Sequence, residues 1–367
     1  MQRPSLALSQ PLLSWLQQDP SWRLQPAGLR WRCRWLAALG SLNARLSASL
    51  ERSTVVTLDD PVLVVGPWRS GTTVMHELLT AATGCAAPRT WQCMDPCAFR
   101  LGRSNRTPVA IARPMDGLEI RADSPQEDEF ALLALGVDSA YRAFWLPHRL
   151  GELGHTLDPA HWLAHPQWLA PWEAFLRGVL AASGGDGTQP LLLKSPNHTY
   201  RIRSILQRFP KARLVWMARD ATPVAMSNRK MWTTMFETHG TSQPRPGALD
   251  SFLRLAIDAA AQALHWCVDQ LPADRLVVVA HEDLIAHPAA TVEATIQRLA
   301  LPRARDSSRL PMAIASVRGG RVERHTAALP RDLAPPVRAL DETQQWALRS
   351  HAPAKPMKLH REPHSRA

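Results

Sequence analysis

The feature that most constrains the fold is a glycine loop between a short apolar run and an amphipathic stretch. Residues 62–65 are four consecutive apolar residues, which is typical of a buried strand. Residues 66–73 read Gly-Pro-Trp-Arg-Ser-Gly-Thr-Thr, and the apolar residues of positions 75–82 then recur at the spacing of one helix face. The pattern therefore predicts a strand, a tight loop and a helix.

The predicted loop has the properties of a phosphate-binding site. A loop of this kind directs successive backbone N–H groups, and the positive end of the helix dipole, at one small volume. Gly66 and Gly71 have the spacing of a Walker A loop, but Thr72 stands where that motif requires lysine. The basic residue of this loop is Arg69 instead. We therefore predict a phosphate site that is not built for ATP.

Three more apolar runs predict strands, and each is followed by a polar cluster. The runs are residues 191–193, 213–218 and 276–279, and the clusters are residues 194–198, 219–227 and 281–283. Helical patterns lie between them, so we predict parallel βαβ units in an α/β fold, a P-loop-like three-layer sandwich with a central parallel sheet. Ligands of open α/β sheets bind beyond the carboxyl ends of the strands. We therefore expect the loop and the three clusters to form one site.

The charge balance favours a polyanionic ligand. With 43 basic and 32 acidic residues the net charge is +11, which suits a nucleotide with several phosphates, anionic lipid or nucleic acid. Nucleic acid is disfavoured because the basic residues are spread along the chain without a helix-turn-helix or zinc-finger pattern. The five cysteines show no repeated metal-binding spacing, so we expect free thiols in a reducing compartment and no metal.

The chain divides into three predicted parts. Residues 1–58 form a helical N-terminal extension, residues 59–329 the α/β domain, and residues 330–367 a final helix with a flexible tail. We find no apolar run approaching the roughly 20 residues of a membrane-spanning helix and no sustained apolar leader. The sequence therefore predicts a cytoplasmic protein.

The N-terminal extension contains a basic, tryptophan-rich helical pattern, and two interpretations of it are open. Trp31 and Trp35 alternate with Arg30, Arg32 and Arg34. Such a helix is typical of peripheral contact with a membrane surface, but it is also typical of a helix packed on its own domain with solvated arginine side chains. We favour the second interpretation.

The motifs together are more specific than any one of them. Besides the loop they comprise Leu-Lys-Ser-Pro-Asn-His at residues 193–198, Phe-Pro-Lys-Ala-Arg-Leu-Val at 209–215, Arg219-Asp220 and Ser227. With this ordered set the chain resembles the sulfotransferases that use 3′-phosphoadenylyl sulfate, in the bacterial-type branch related to protein-tyrosine and carbohydrate sulfotransferases. Residues 113–116, 125–130 and 281–288 extend the likeness to about residues 61–302.

The resemblance implies a donor site for 3′-phosphoadenylyl sulfate as co-substrate. The 5′-phosphosulfate would be bound by the loop residues Arg69, Ser70, Gly71, Thr72 and Thr73. The 3′-phosphate would be bound by Arg219 and Ser227. The guanidinium of Arg219 and the hydroxyl of Ser227 lie eight positions apart across a strand–loop–helix turn, so both are able to reach one phosphate. Arg318 is a further nucleotide-binding candidate, from a looser match at residues 316–325.

The resemblance also implies a basic residue that stabilises the leaving group, which we assign to Lys194. The general base is open, because Gln92 stands where related enzymes often have glutamate, and an amide does not accept the proton. His198 is the leading substitute, since it shares the loop of Lys194 and histidine titrates near neutral pH. The other candidates are, in order, Glu127 or Glu129, Asp116 and His76.

The resemblance implies transfer of a sulfuryl group to a hydroxyl or amine of an acceptor. A P-loop kinase and a catalytically impaired donor-binding protein are the alternatives. The tryptophan-rich middle of the chain and the basic N-terminal helix are compatible with an apolar or lipid-linked acceptor, but core packing explains both equally well. We consider small molecules, lipids and glycans. The oligomeric state is not predicted by any pattern in the sequence.

Overall fold

A computed structural model describes residues 10–51, 56–97, 99–101, 111–112, 119–183, 189–318 and 329–353. Within them the chain forms two sheets. The strands are β1 (Val62–Val65), β2 (Ile111–Ala112), β3 (Glu119–Ile120), β4 (Leu192–Lys194), β5 (Arg213–Ala218) and β6 (Leu276–Ala280). The central sheet has the order β4-β1-β5-β6 and is parallel throughout, whereas β2 and β3 form a small antiparallel pair.

Helices precede, separate and follow the strands. They are α1 (Gln10–Gln17), α2 (Pro20–Arg23), α3 (Ala27–Glu51), α4 (Thr72–Ala82), α5 (Thr90–Met94), α6 (Glu129–Ala134), α7 (Pro159–Ala164), α8 (Leu169–Ala182), α9 (His198–Arg208), α10 (Ala221–His239), α11 (Ala248–Gln270), α12 (His281–Ala286), α13 (Pro288–Arg298), α14 (Arg309–Arg318) and α15 (Ala334–His351). Short 3-10 turns lie at Phe99–Leu101, Ala140–Phe144, Pro147–Leu157, Pro166–Trp168 and Arg331–Leu333.

The central sheet is buried on both faces, which confirms the predicted three-layer α/β sandwich. Strand side chains alternate between the two faces. Leu63 and Val65 pack with Trp172 of α8 in one core, whereas Val62 and Val64 pack with residues of α4 and α13 in another. A strand with two covered faces must be apolar at every position, which explains the unbroken apolar run of β1.

The N-terminal region packs on the α/β domain. Leu12, Leu13 and Leu16 of α1 are at most 1% exposed and share a core with Trp68 of the glycine loop. On α3, Cys33 and Ala37 belong to the same core. This packing is the interpretation that we favoured from the sequence, although it involves only one face of α3.

Residues 86–105, whose sequence shows no clear helical period, include the short helix α5 and a 3-10 turn within their described part. The final helix, α15, contacts α11 and β6, so long-range packing holds it on the domain. None of the helices that the structure describes has the length and apolar character required to cross a membrane.

Candidate active site

The strand order brings the four polar clusters to one edge of the sheet. β1 lies between β4 and β5, with Val64 opposite Lys194 and Val65 opposite Trp216. β6 follows on the far side of β5, with Ala280 opposite Ala218. All four strands are parallel, so their carboxyl ends share an edge. The loop after β1 therefore lies between the residues that follow β4 and those that follow β5.

Two glycines of the loop have no room for a side chain. Gly66 has a φ angle of 133°, and a Cβ atom there would lie 2.8 Å from the carbonyl oxygen of Met217. Gly71, with φ of 98°, precedes α4, and its Cβ would lie 2.6 Å from the His281 ring. His281 belongs to the polar cluster at residues 281–283, so this cluster lies directly against the loop.

Arg69 is held in a conformation that L-residues rarely adopt, with a φ angle of 71°. Strain of this kind persists only where surrounding contacts enforce it, and it concentrates at ligand-binding loops. The contacts are present: Arg219 Nη1 donates a hydrogen bond to the Arg69 carbonyl over 2.9 Å, and Asn228 Nδ2 donates one to the carbonyl of Trp68 over 2.8 Å. Two side chains from beyond β5 therefore shape the loop.

The loop is also anchored from the side of β4. The hydroxyl of Thr199, near the start of α9, accepts from the Gly66 N–H and donates to the Gly66 carbonyl, both over 3.0 Å. Trp68 is 2% exposed and packs against Tyr141, Tyr200, Trp232 and Phe252. None of these anchors was predicted, because each lies far from the loop along the chain.

Three of the predicted donor-binding residues converge beside the loop. Arg69 Nε donates to Ser227 Oγ over 3.0 Å, and Arg219 contacts the Arg69 backbone as described above. The peptide of Arg219 is clamped by Gln344 of α15, whose amide oxygen accepts from the Arg219 N–H over 2.9 Å and whose Nε2 donates to the Arg219 carbonyl over 3.0 Å. Gln344 lies in a segment whose sequence carries no motif, so its role was not foreseen.

The other loop residues occupy the first turn of α4 or precede it. The N–H groups at the start of a helix lack partners within the helix. At the start of α4 these N–H groups belong to Gly71, Thr72 and Thr73. The Ser70 hydroxyl instead donates to the Pro67 carbonyl over 2.8 Å. Arg318 is the last residue of α14, and its side chain lies outside the described part of the chain.

Lys194 contacts both the glycine loop and Glu127, an acidic residue two positions before the start of α6. Its ammonium group is 2% exposed and donates to Glu127 Oε1 over 2.6 Å and to Thr73 Oγ1 over 3.5 Å. The side chain reaches both because β4 is the immediate neighbour of β1. One buried cation thus contacts the loop on one side and a carboxylate on the other.

A second line of hydrogen bonds connects Glu127 to the loop. The Tyr141 hydroxyl donates to Glu127 Oε2 over 2.9 Å and accepts from Trp68 Nε1 over 3.1 Å. Burial, and next the charges of Glu127 and Glu129, raise the pKa of Tyr141 well above its ordinary value. The phenol therefore stays protonated and keeps donating to the carboxylate. Each oxygen of Glu127 has one donor, and both donors contact the loop.

His198 lies in a different environment from the one we expected. Its side chain is fully buried, Nε2 is 2.8 Å from Asp128 Oδ2, and Trp172 Nε1 donates to the same oxygen over 2.7 Å. Burial acts to raise the pKa of Asp128, but the charge and hydrogen bond of His198, with the Trp172 bond, outweigh it and lower the pKa. His198 and Asp128 therefore form an enclosed polar pair.

The remaining candidates for the base are also engaged elsewhere. Glu129 is fully buried and forms a two-pronged ion pair with Arg201. Gln92, which stands where related enzymes often have the glutamate base, caps the start of α5, where its Oε1 accepts from the Arg89 N–H over 2.8 Å. Asp116 lies outside the described residues. Among the candidates that the structure describes, Glu127 is the one hydrogen-bonded to Lys194.

His76 supports the fold from beneath the loop. It is fully buried on α4, and Nε2 is 3.3 Å from the Leu192 carbonyl. Burial first, and then the charge of Lys194, lower its pKa to about 3. His76 is therefore neutral in the folded protein at neutral pH.

We expect His76 to make the folded state less stable as the pH falls. The unfolded chain binds a proton below about pH 6.5, whereas the folded chain resists it down to about pH 3. The contribution is absent above pH 6.5 and at pH 5 costs about 2 kcal/mol. Urea unfolding at pH 7 and pH 5 measures it. His76→Gln should flatten this pH dependence relative to the exposed control His265→Gln, and an unchanged dependence would contradict the assignment.

One cluster away from these contacts has the composition of a metal site. Asp138, His155 and His161 each offer a ligand atom within 4.8 Å of the others. The Asp138 carboxylate already bonds His155 Nε2 over 2.6 Å and Arg142 over 2.9 Å. We therefore describe it as an ion-pair cluster.

A family model described as "Sulfotransferase family" matches residues 61–305 of this chain, which is the part that forms the central sheet and the site. Among curated proteins, the omega-hydroxy-beta-dihydromenaquinone-9 sulfotransferases Stf3 of Mycobacterium bovis and Mycobacterium tuberculosis are each 28% identical over 250 residues. The match covers 67% of this chain and 64% of each relative, which is less than two thirds of their length.

Two solved structures share the fold. Sulfotransferase STF1 from Mycobacterium tuberculosis has a TM-score of 0.60 at 18% identity, over 91% of this chain and 90% of that one. Sulfotransferase STF9 from Mycobacterium avium has a TM-score of 0.59 at 17% identity, over 95% of this chain and 98% of that one. At this identity the likeness demonstrates the fold alone.

Proposed function

Because this chain belongs to the sulfotransferase family, we propose that it transfers a sulfuryl group from 3′-phosphoadenylyl sulfate to a hydroxyl group of an apolar, lipid-like acceptor. The observation that carries the proposal is the contact of Lys194 with both Thr73 and Glu127. It joins a phosphate-binding loop to a carboxylate through one cation. The Stf3 relatives are named for a dihydromenaquinone derivative, and this supports the acceptor class.

The donor half of the site is the loop with its flanking arginines. The N–H groups at the start of α4 and the Arg69 guanidinium offer fixed donors for the phosphosulfate. Arg219 and Ser227 offer a guanidinium and a hydroxyl to the 3′-phosphate that distinguishes this nucleotide. The Arg219 backbone is held by Gln344 and its guanidinium already donates to the Arg69 carbonyl. The side chain is therefore partly ordered before binding, which lowers the entropy cost of binding.

The acceptor half is centred on Glu127. In the transfer, the acceptor oxygen forms a bond to sulfur while the bond from sulfur to the phosphate oxygen breaks. Glu127 accepts the hydroxyl proton, and Lys194 stabilises the negative charge on the departing oxygen. The products are the sulfate ester, adenosine 3′,5′-bisphosphate and one proton. We assign the base to Glu127 rather than His198 because His198 is enclosed by Asp128 and Trp172.

The alternatives have less support. A kinase of the P-loop class needs the lysine that Thr72 replaces. The alternative of a catalytically impaired donor-binding protein rests on Gln92, which replaces the glutamate that related enzymes often use as base. Gln92 caps α5 instead, and Glu127 offers a carboxylate beside Lys194.

Calorimetry with adenosine 3′,5′-bisphosphate tests the proposed function. We expect micromolar or tighter binding by the full chain, weakened by Arg219→Ala about tenfold to a hundredfold, because a hydrogen bond to a charged group contributes about 1.5–3 kcal/mol. Arg229→Ala is the matched control, since Arg229 is about half exposed on α10 and pairs with Asp250. Absence of bisphosphate binding, or magnesium-dependent ATP turnover, would overturn the proposal.

A further inference from the structure

Helix α3 carries an apolar stripe that the described part of the chain leaves uncovered. Trp31 is 68% exposed, Trp35 56% and Leu42 51%, and Leu39 and Leu46 are 38% and 39% exposed. These five residues, which we call the tryptophan stripe, recur at i, i+4, i+8, i+11 and i+15, so they lie along one face of the helix. The indole rings of Trp31 and Trp35 stack with a centroid distance of 6.2 Å.

The orientation of the stripe is set by the opposite face of α3. Cys33 and Ala37 are buried in a core that also includes Trp22, and α3 packs against α1 and the Phe99–Leu101 turn. The helix is therefore docked on the domain by one face and presents the stripe outward. Large aromatic residues are rarely left exposed together without an interaction that uses them.

The charges around the stripe are of one sign. Between Asp19 and Glu51 the chain has five arginines and no acidic residue. By helical geometry Arg32 flanks one edge of the stripe, and Arg34 and Arg45 flank the other; all three are exposed. An apolar face with tryptophans between rows of arginine is typical of a helix that lies in the plane of a membrane interface.

We propose that the tryptophan stripe inserts into the interface of an anionic lipid bilayer. The indoles and leucines would enter the region between headgroups and acyl chains, while the arginines contact anionic headgroups. Protein partners with an acidic rim are less suited, since five apolar side chains in a straight row match a planar interface. The proposal rests on the proposed function in one respect: a lipid-like acceptor resides in such a bilayer, so docking delivers it to the enzyme.

Co-sedimentation with vesicles tests this surface. We expect the full chain to bind vesicles made of phosphatidylglycerol and phosphatidylcholine. Binding to pure phosphatidylcholine should be weaker because these vesicles have no net negative charge, and binding at high salt should be weaker because the charge attraction is screened. Trp31→Ser with Trp35→Ser should lower the partition coefficient by about tenfold or more, since burying one large apolar side chain is worth about 1.5–3 kcal/mol. Leu255→Ser with Met312→Ser removes exposed apolar residues of α11 and α14 as the matched control.

Quenching of tryptophan fluorescence by brominated lipid locates the inserted residues. Quenching that is lost in the double tryptophan variant supports insertion of the stripe. The proposal is overturned if the intact chain binds neither vesicle type, or if the tryptophan variant binds like the control. It is also overturned if the chain is dimeric in sedimentation and the variant is monomeric, because the stripe then covers a second copy. Calorimetry with adenosine 3′,5′-bisphosphate on the same variants keeps these outcomes separate from the proposed function.

Discussion

Replacing Lys194 with methionine is expected to lower the rate of sulfuryl transfer by about a thousandfold while leaving the affinity for adenosine 3′,5′-bisphosphate within about threefold. In the proposed mechanism the charge of Lys194 is required where negative charge develops, on the oxygen that leaves sulfur. The same proposal assigns binding of the product nucleotide mainly to the loop and Arg219, which the substitution leaves in place. Transfer is measured with radiolabelled donor and a prenylated hydroquinone or alcohol as acceptor.

The variant also leaves Glu127 without its cation, and the controls must account for that. A buried carboxylate that loses its partner takes up a proton or destabilises the fold, so thermal unfolding should be recorded alongside transfer. Lys211→Met, at an exposed lysine before β5, is the control for the substitution itself. If nucleotide affinity falls in parallel with transfer, Lys194 acts in donor binding and the assigned role is wrong.

Replacing Glu127 with glutamine is expected to lower the maximal rate by about a hundredfold to ten-thousandfold, the range for loss of a general base. Glutamine preserves the size of the side chain but has one acceptor oxygen, so it accepts from Tyr141 or from Lys194 and not from both. Thermal unfolding and nucleotide affinity should therefore be recorded with the rate, to separate lost stability from lost catalysis. Single-turnover rates measure the chemical step and calorimetry measures the nucleotide affinity; an unchanged single-turnover rate would contradict the assignment.

Two comparisons decide whether Glu127 acts as the base. Tyr141→Phe removes one hydrogen bond to Glu127 and leaves the carboxylate, so it should lower the rate less than Glu127→Gln does. His198→Gln tests the residue that the sequence favoured. If His198→Gln abolished transfer while Glu127→Gln retained it, the base would be His198, and our assignment would be wrong.

Much of the fold was predictable because its elements are defined by short-range patterns. The four strands of the central sheet were found from apolar runs, although β4 begins one residue later and includes Lys194. The helix α4 was found from the apolar periodicity of residues 75–82, and α9, α10 and α11 lie in the helical segments expected between the strands. The parallel arrangement followed because helical segments separate successive strands, and the structure confirms it. The short helix α5 was missed because five residues are too few to show a helical period.

The candidate site was predictable only in part. The position of the loop at a strand end was readable, since glycine spacing is local. The partners of its residues were not: Thr199 on Gly66, Asn228 on Trp68 and Gln344 on Arg219 are separated from the loop or strand residue they bind by 125 to 160 positions. The roles assigned to the individual site residues, and the three-part division of the chain, remain predictions.

The sequence by itself determined the class of the protein. A strand, a glycine loop with an internal arginine and three further strand-end clusters indicate the family and its fold, because each pattern is set by neighbouring residues. The tertiary structure decided which carboxylate faces the loop. Lys194 bonds Glu127 across 67 positions of sequence, while His198, four residues from Lys194, is turned toward Asp128. Side chains meet through the packing of strands and helices, and their proximity along the chain does not specify that packing.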